Sequence, residues 1–137
     1  MWYLLDMAQC PDRPPWVTRR RFREIVAEAL DTIPPELSSH LENVAVFVED
    51  EPEAEILREM GLDPEVETLY GLYQGTPLGE RALVHDALPD RITIYFLPLV
   101  EDFTDEYHLR REIRRTVVHE VGHFFGFDDH RLEELGF

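Results

Sequence analysis

His119-Glu120-Val121-Gly122-His123-Phe124-Phe125-Gly126-Phe127-Asp128-Asp129 reads as H-E-x-x-H-x-x-G-x-x-D. On a helix, residues four apart share a face one turn apart, so His119 and His123 can present two imidazoles to one ion. Glu120 lies ~100° further round the helix. Its short reach keeps it off that ion, but it can touch a water held there. A carboxylate in that place takes a proton from the water and passes it to a leaving amine. Gly126 supplies the left-handed conformation that ends helices. The chain then turns back, and Asp129 approaches as a third, oxygen ligand. Zinc suits this set, with Zn–N near ~2.0–2.1 Å, and three protein ligands with one open position mark a catalytic rather than a structural zinc site. The expected stoichiometry is one Zn2+ per chain.

The bland alternative makes His119 and His123 surface or capping histidines and Glu120 a solvated charge. Yet H-E-x-x-H alone arises by chance in well under ~1% of chains of this length, and Gly126 and Asp129 at their offsets lower that further. His130 is a rival third ligand, because histidine is the commoner zinc ligand. Neighbours in an extended segment point to opposite sides, so only one of the pair binds, and counting three residues from Gly126 selects Asp129. Glu133 and Glu134 are weaker rivals. His108 precedes His119 by eleven residues, ~16 Å along a helix, too far to share the ion. His40 and His85 read as ordinary surface or hydrogen-bonding histidines. Tyr70, Tyr73 and Tyr95 read as packing residues, with oxyanion stabilisation as the functional alternative.

Outward from the motif, its helix begins near Thr104, which reads as the cap, with Asp105 and Glu106 at the positive dipole end. Leu109, Ile113, Val117, Val121 and Phe124 form its buried stripe, widened by Val118 and Phe125. Arg91 to Leu97 alternates as a strand and is stopped by Pro98. Asn43 to Val48 is apolar on both faces, which predicts a central strand. Thr68 to Tyr73 is another strand, cut by Gly71, and Gln74 to Asp90 is a long connection with a short strand near Ala82 to Val84. Pro52 and Gly61 bracket a short helix that turns Ile56, Leu57 and Met60 inward. Thr18 caps a helix running to about Leu30, with Phe22, Ile25, Val26, Ala29 and Leu30 as its core stripe. Pro34-Pro35 ends it, and Leu37 to Leu41 adds a short turn. Residues 1–17, with Pro11, Pro14 and Pro15, read as an N-terminal arm, and residues 18–137 as a single domain.

Composition fits that reading. Of 137 residues, 44% are hydrophobic and 31% charged, as in a soluble globular domain. The net charge of -16 repels nucleic-acid phosphates and anionic membrane surfaces, so neither is expected as a partner. The basic run Arg19-Arg20-Arg21 with Arg23 falls on a helix and reads as a solvated face. A single cysteine, Cys10, excludes an intrachain disulfide and a cysteine-based metal site. No apolar run approaches the ~20 residues of a membrane span, and the start lacks a signal-peptide pattern, so the expected location is cytoplasmic.

The motif, with Arg114-Arg115-Thr116-Val117-Val118 before it and Arg131-Leu132-Glu133-Glu134-Leu135-Gly136 after it, resembles the bacterial minimal-zincin metallopeptidase family. So do Leu72-Tyr73-Gln74-Gly75-Thr76-Pro77-Leu78, Leu88-Pro89-Asp90-Arg91-Ile92-Thr93 and the helix from Phe22 to Leu30. The resemblance covers roughly residues 18–136. It implies an α+β, minimal zincin-like fold: a small mixed sheet packed by an N-terminal helix and a long active-site helix. It also implies zinc at His119, His123 and Asp129, with Glu120 as general base. The chain departs from metzincins in the wider sense, which place a methionine turn after the third ligand, because Met1, Met7 and Met60 all precede the motif. The function expected is a zinc-dependent metallopeptidase acting on peptides or unfolded proteins. The alternatives are a zinc-dependent endoribonuclease-like hydrolase, against which Glu120 and the acidic charge argue, and a latent or non-catalytic zinc-binding interaction module.

Overall fold

The computed structural model describes residues 15–75 and 90–134. In chain order these form α1 (Arg19–Asp31), α2 (Pro35–Ser38), a 3-10 turn (Ser39–Leu41), β1 (Ala45–Glu49), α3 (Ala54–Glu59) and β2 (Gly71–Gln74). After the undescribed connection come β3 (Arg91–Tyr95), α4 (Phe96–Asp102), α5 (Glu106–Phe124) and α6 (Asp129–Glu134). The expected α+β class holds, with six α-helices and a three-stranded mixed sheet among the described residues. The arm and the short strand expected near Ala82 lie largely or wholly outside them. No helix among the described residues is long and apolar enough to cross a membrane.

The sheet order is β1-β3-β2, with β1 parallel and β2 antiparallel to β3. The expectation of a central β1 is corrected. β1 is an edge strand among the described residues, and its burial alternates, with Ala45, Phe47 and Glu49 outward. The Phe47 ring lies 4.3 Å under the Arg91 guanidinium instead of under a helix. The centre belongs to β3, where Ile92, Thr93, Ile94 and Tyr95 are all buried. β3 is also shorter than expected. Pro98 does not stop a strand; it sits in the first turn of α4, where its missing N–H would have had no helical partner.

α1 begins where the sequence places it: Thr18 Oγ1 accepts from Arg21 N–H at 3.1 Å, and Phe22, Ile25, Val26 and Ala29 are buried. α5 starts one residue later than expected, because Asp105, not Thr104, is the cap and its carboxylate accepts from His108 N–H at 2.9 Å. The predicted α5 stripe is buried from Leu109 to Phe124. The stripes of α1 and α5 meet Ile92 and Ile94 of β3 in one core. Phe22 meets Phe96 edge to face at 5.0 Å, and Trp16 Nε1 donates to Val100 O at 3.0 Å. The arginine face of α1 is an ion-pair face: Arg19 pairs with Asp50, Arg21 with Glu106, and Glu28 with Arg110 across to α5. Met60 is 49% exposed rather than inward, while Leu57 alone of α3 is buried.

Candidate metal centre

α5 ends at Phe124. Gly126 then adopts φ +93° and its N–H bonds His123 O, while Phe127 N–H bonds Gly122 O at 3.0 Å. This turn satisfies the last carbonyls of the helix and reverses the chain. Asp128 Oδ1 accepts from Arg131 N–H at 2.8 Å, which starts α6. Asp129, the first residue of α6, therefore returns beside the two histidines.

Three ligand-type atoms converge. Asp129 Oδ1 lies 3.0 Å from His119 Nε2 and 2.7 Å from His123 Nε2, and all three atoms lie within 4.8 Å of one another. Ligands around a tetrahedral zinc at ~2.0–2.1 Å are about 3.3 Å apart, so a shift of roughly 0.3–0.6 Å at Asp129 would bring its two contacts to that spacing. The donor set, two imidazoles and a carboxylate, is also chemically suited to it. The histidines are half-buried, and Asp129 faces solvent.

Glu120 stands apart from this cluster, as the sequence predicts. It is 6% exposed, and its Oε2 lies 3.2 Å from His123 Nδ1. Oε1 takes no hydrogen bond among the described residues. His123 is thus held between two carboxylates. The Glu120 hydrogen bond raises its pKa from 6.5 to about 9, with Asp129 adding to the effect and burial opposing it. Asp129 is held below its ordinary carboxylate value by the bonds from His123 and His119. A pKa so raised favours the imidazolium at neutral pH, in which both ring nitrogens can donate to the flanking carboxylates.

A cleft of about 450 Å³ opens on this face. Leu69, Tyr70 and Gly71 form one wall, Arg115, Thr116, His119 and Glu120 of α5 the floor, and Glu133 of α6 the far rim. Position 71 must be glycine for the strand to lie so close. A Cβ there would meet Thr116 Cγ2 at 2.6 Å and Glu120 Cγ at 3.2 Å.

The other sequence candidates fall away from the centre. His130 is tied to Glu134 at 3.1 Å and points outward, at 82% side-chain exposure. Glu134 also pairs with Arg131, and Glu133 lines the cleft without joining the ligand cluster. His108 binds Asp105 at 2.6 Å, and His40 rests against Phe125. His85 lies outside the described residues. The tyrosines are engaged elsewhere: Tyr70 OH bonds Asp102, Tyr73 OH donates to Asp90, and Tyr95 is 1% exposed. Sequence reasoning missed Gly71, Gly122 and Leu132 as shapers of the site. The available signal was the pair of glycines themselves, one inside a strand and one inside a helix.

The geometry agrees with comparisons to other proteins. A family profile described as zincin-like metallopeptidase matches residues 41–137. A conserved hypothetical protein from Thermus thermophilus has a similar structure: TM-score 0.50 and 25% identity, covering 86% of this chain and 96% of that one. A search of curated proteins gives no match.

Proposed function

Because the chain belongs to the zincin-like metallopeptidase family, we propose that it is a zinc-dependent peptidase with one Zn2+ held by His119, His123 and Asp129. The observation that carries this reading is the convergence of His119 Nε2, His123 Nε2 and Asp129 Oδ1 beside a buried Glu120 that is not among them. When bound, zinc supplies the Lewis acidity that makes a water nucleophilic and a carbonyl electrophilic. The protein's own residues supply the rest. His123, oriented through Nδ1 by Glu120, offers Nε2 to the ion. Glu120 Oε1 receives a proton from the attacking water and returns it to the leaving amine.

The substrate proposed is a peptide or an unfolded protein segment. β2 has no partner on its outer side among the described residues, and its start, Gly71, borders the cleft. An extended peptide added along that edge gains main-chain hydrogen bonds and brings a carbonyl over the centre. The acidic surface supports peptide over nucleic acid.

Glu120→Gln tests the assignment. It should keep zinc at about one per chain and cut turnover of a mixed peptide library by ~10²–10⁴. Loss of zinc beyond the ~10–100-fold weakening expected from disturbing the Glu120–His123 bond would end this assignment. Hydrolysis of RNA but not of peptides would redirect the substrate.

A further inference from the structure

α6 consists of Asp129–Glu134, and Leu132 is its one buried residue, at 2% exposure. A helix that short does not hold itself together in water. Its cap, Asp128, fixes where it starts but not where it sits on α5. The Asp129 side chain is largely exposed, and among the described residues its bonds go only to His119 and His123. Something other than the ligand itself must therefore place it.

That placement falls to Leu132. Its side chain enters a notch in α5 that exists because position 122 has no side chain. A Cβ at Gly122 would lie 2.4 Å from Leu132 Cδ2 and 3.3 Å from Cδ1. Glycine weakens a helix interior relative to alanine, so its use between His119 and His123 asks for a reason, and the close approach of α6 supplies one. The geometry then follows from helix spacing. Asp129 stands three residues before Leu132 and shares its face of α6. The notch immediately precedes His123 and follows His119 by three residues. Seating Leu132 at Gly122 turns Asp129 toward both Nε2 atoms.

We propose that Leu132 is a positioning residue for the third ligand: seated in the Gly122 notch, it sets α6 so that Asp129 completes the metal site. This rests on the metal-centre reading above. The test compares Leu132→Ala, Asp129→Ala and the double variant by chelator-competition titration with zinc, and by the visible spectrum with cobalt, below the melting temperature of each. Leu132→Ala should weaken zinc about 10–100-fold, the range for groups that orient ligands, and move the cobalt spectrum toward that of Asp129→Ala. In the Asp129→Ala background it should add nothing. Leu132→Met, which conserves volume, should bind as wild type. Wild-type zinc affinity in folded Leu132→Ala, or an equal loss in both backgrounds, overturns the proposal. Should Leu132→Ala not fold, Gly122→Ala fills the notch from the other side and should weaken zinc likewise; unchanged affinity there also overturns it. If Asp129→Ala itself binds zinc as wild type, it is the metal-centre reading that fails, so the two failures are distinguishable.

Discussion

Gly71→Ala places a methyl group where β2 crosses α5. The new Cβ would stand 2.6 Å from Thr116 Cγ2, about 1 Å inside an ordinary carbon–carbon contact. Thr116 cannot turn its methyl away freely, because its Oγ1 donates to Glu112 O at 2.7 Å, and giving up that bond costs about 0.5–1.5 kcal/mol. Pushing the strand off the helix strains the β2–β3 pairing instead, since Thr93 O is only 3.3 Å from the same methyl. Overpacking of this kind costs about 1–3 kcal/mol. The reduced freedom of the unfolded chain returns about 0.4–1 kcal/mol. The net loss is about 1–2 kcal/mol, a fall of roughly 3–8 °C in Tm for a domain of this size, measured by thermal denaturation of the metal-free protein. Thr116→Ser removes Cγ2 but keeps the hydroxyl. In that background the Gly71→Ala loss should largely vanish, because the first clash is gone. An unchanged or higher Tm in Gly71→Ala, or the same loss with and without Thr116→Ser, refutes the reasoning.

Three further outcomes follow from the geometry. Asp129→Ala should lose zinc far more than His130→Ala, because His130 faces Glu134 and solvent; equilibrium dialysis of the two decides, and the reverse order moves the ligand. On the proposed reading, zinc displaces a proton from His123, whose pKa is raised to about 9. Its ion pairs stabilise the metal-free fold fully below its ordinary value of 6.5, and that contribution is lost as pH rises through about 9. Zinc affinity should therefore climb about tenfold per pH unit across that window, and a flat competition titration would contradict the assignment. Asp105→Ala removes the α5 cap and should lower Tm at neutral pH. The Asp105 carboxyl is held below its usual 3.8 by bonds from His108, so the wild-type advantage should persist above that value and disappear as pH falls through the lowered one, as acid-titrated melting curves will report.

Much of this is legible in the sequence because it is local. The cap at Thr18, the α5 stripe and the turn at Gly126 that returns Asp129 to His119 and His123 depend on residues a few positions apart, and all lie where the pattern puts them. What fails depends on partners distant in sequence. Val44 to Val48 is apolar enough for a central strand, but only the pairing with Arg91 to Tyr95 decides which strand lies inside. Pro98 ends a strand by its chemistry and begins a helix equally well. Setting Asp129 against His130 as opposite sides of one segment assumes extended chain. The residues are instead the first two of α6, where ~100° of helical rotation separates them. Gly71 and Gly122 are visible only as glycines, because what they make room for, Thr116 and Leu132, comes from other elements.

The division of the proposed ligands between α5 and α6 has a kinetic consequence. α5 is anchored by eight buried residues and α6 by one. Local opening follows buried apolar contact, so α6 should detach many times for each global unfolding, and its amide protons should exchange well before those of Ile113 or Val117. On the proposed reading, each detachment carries Asp129 away and leaves the ion on two imidazoles. Metal release then passes through the local opening of six residues rather than through unfolding of the whole chain. A bound ion acts back on that opening, favouring the closed segment by the difference between its affinities for the closed and the open site. Hydrogen-exchange protection in α6 thus reports metal occupancy directly, residue by residue, in a protein whose substrate need not be known.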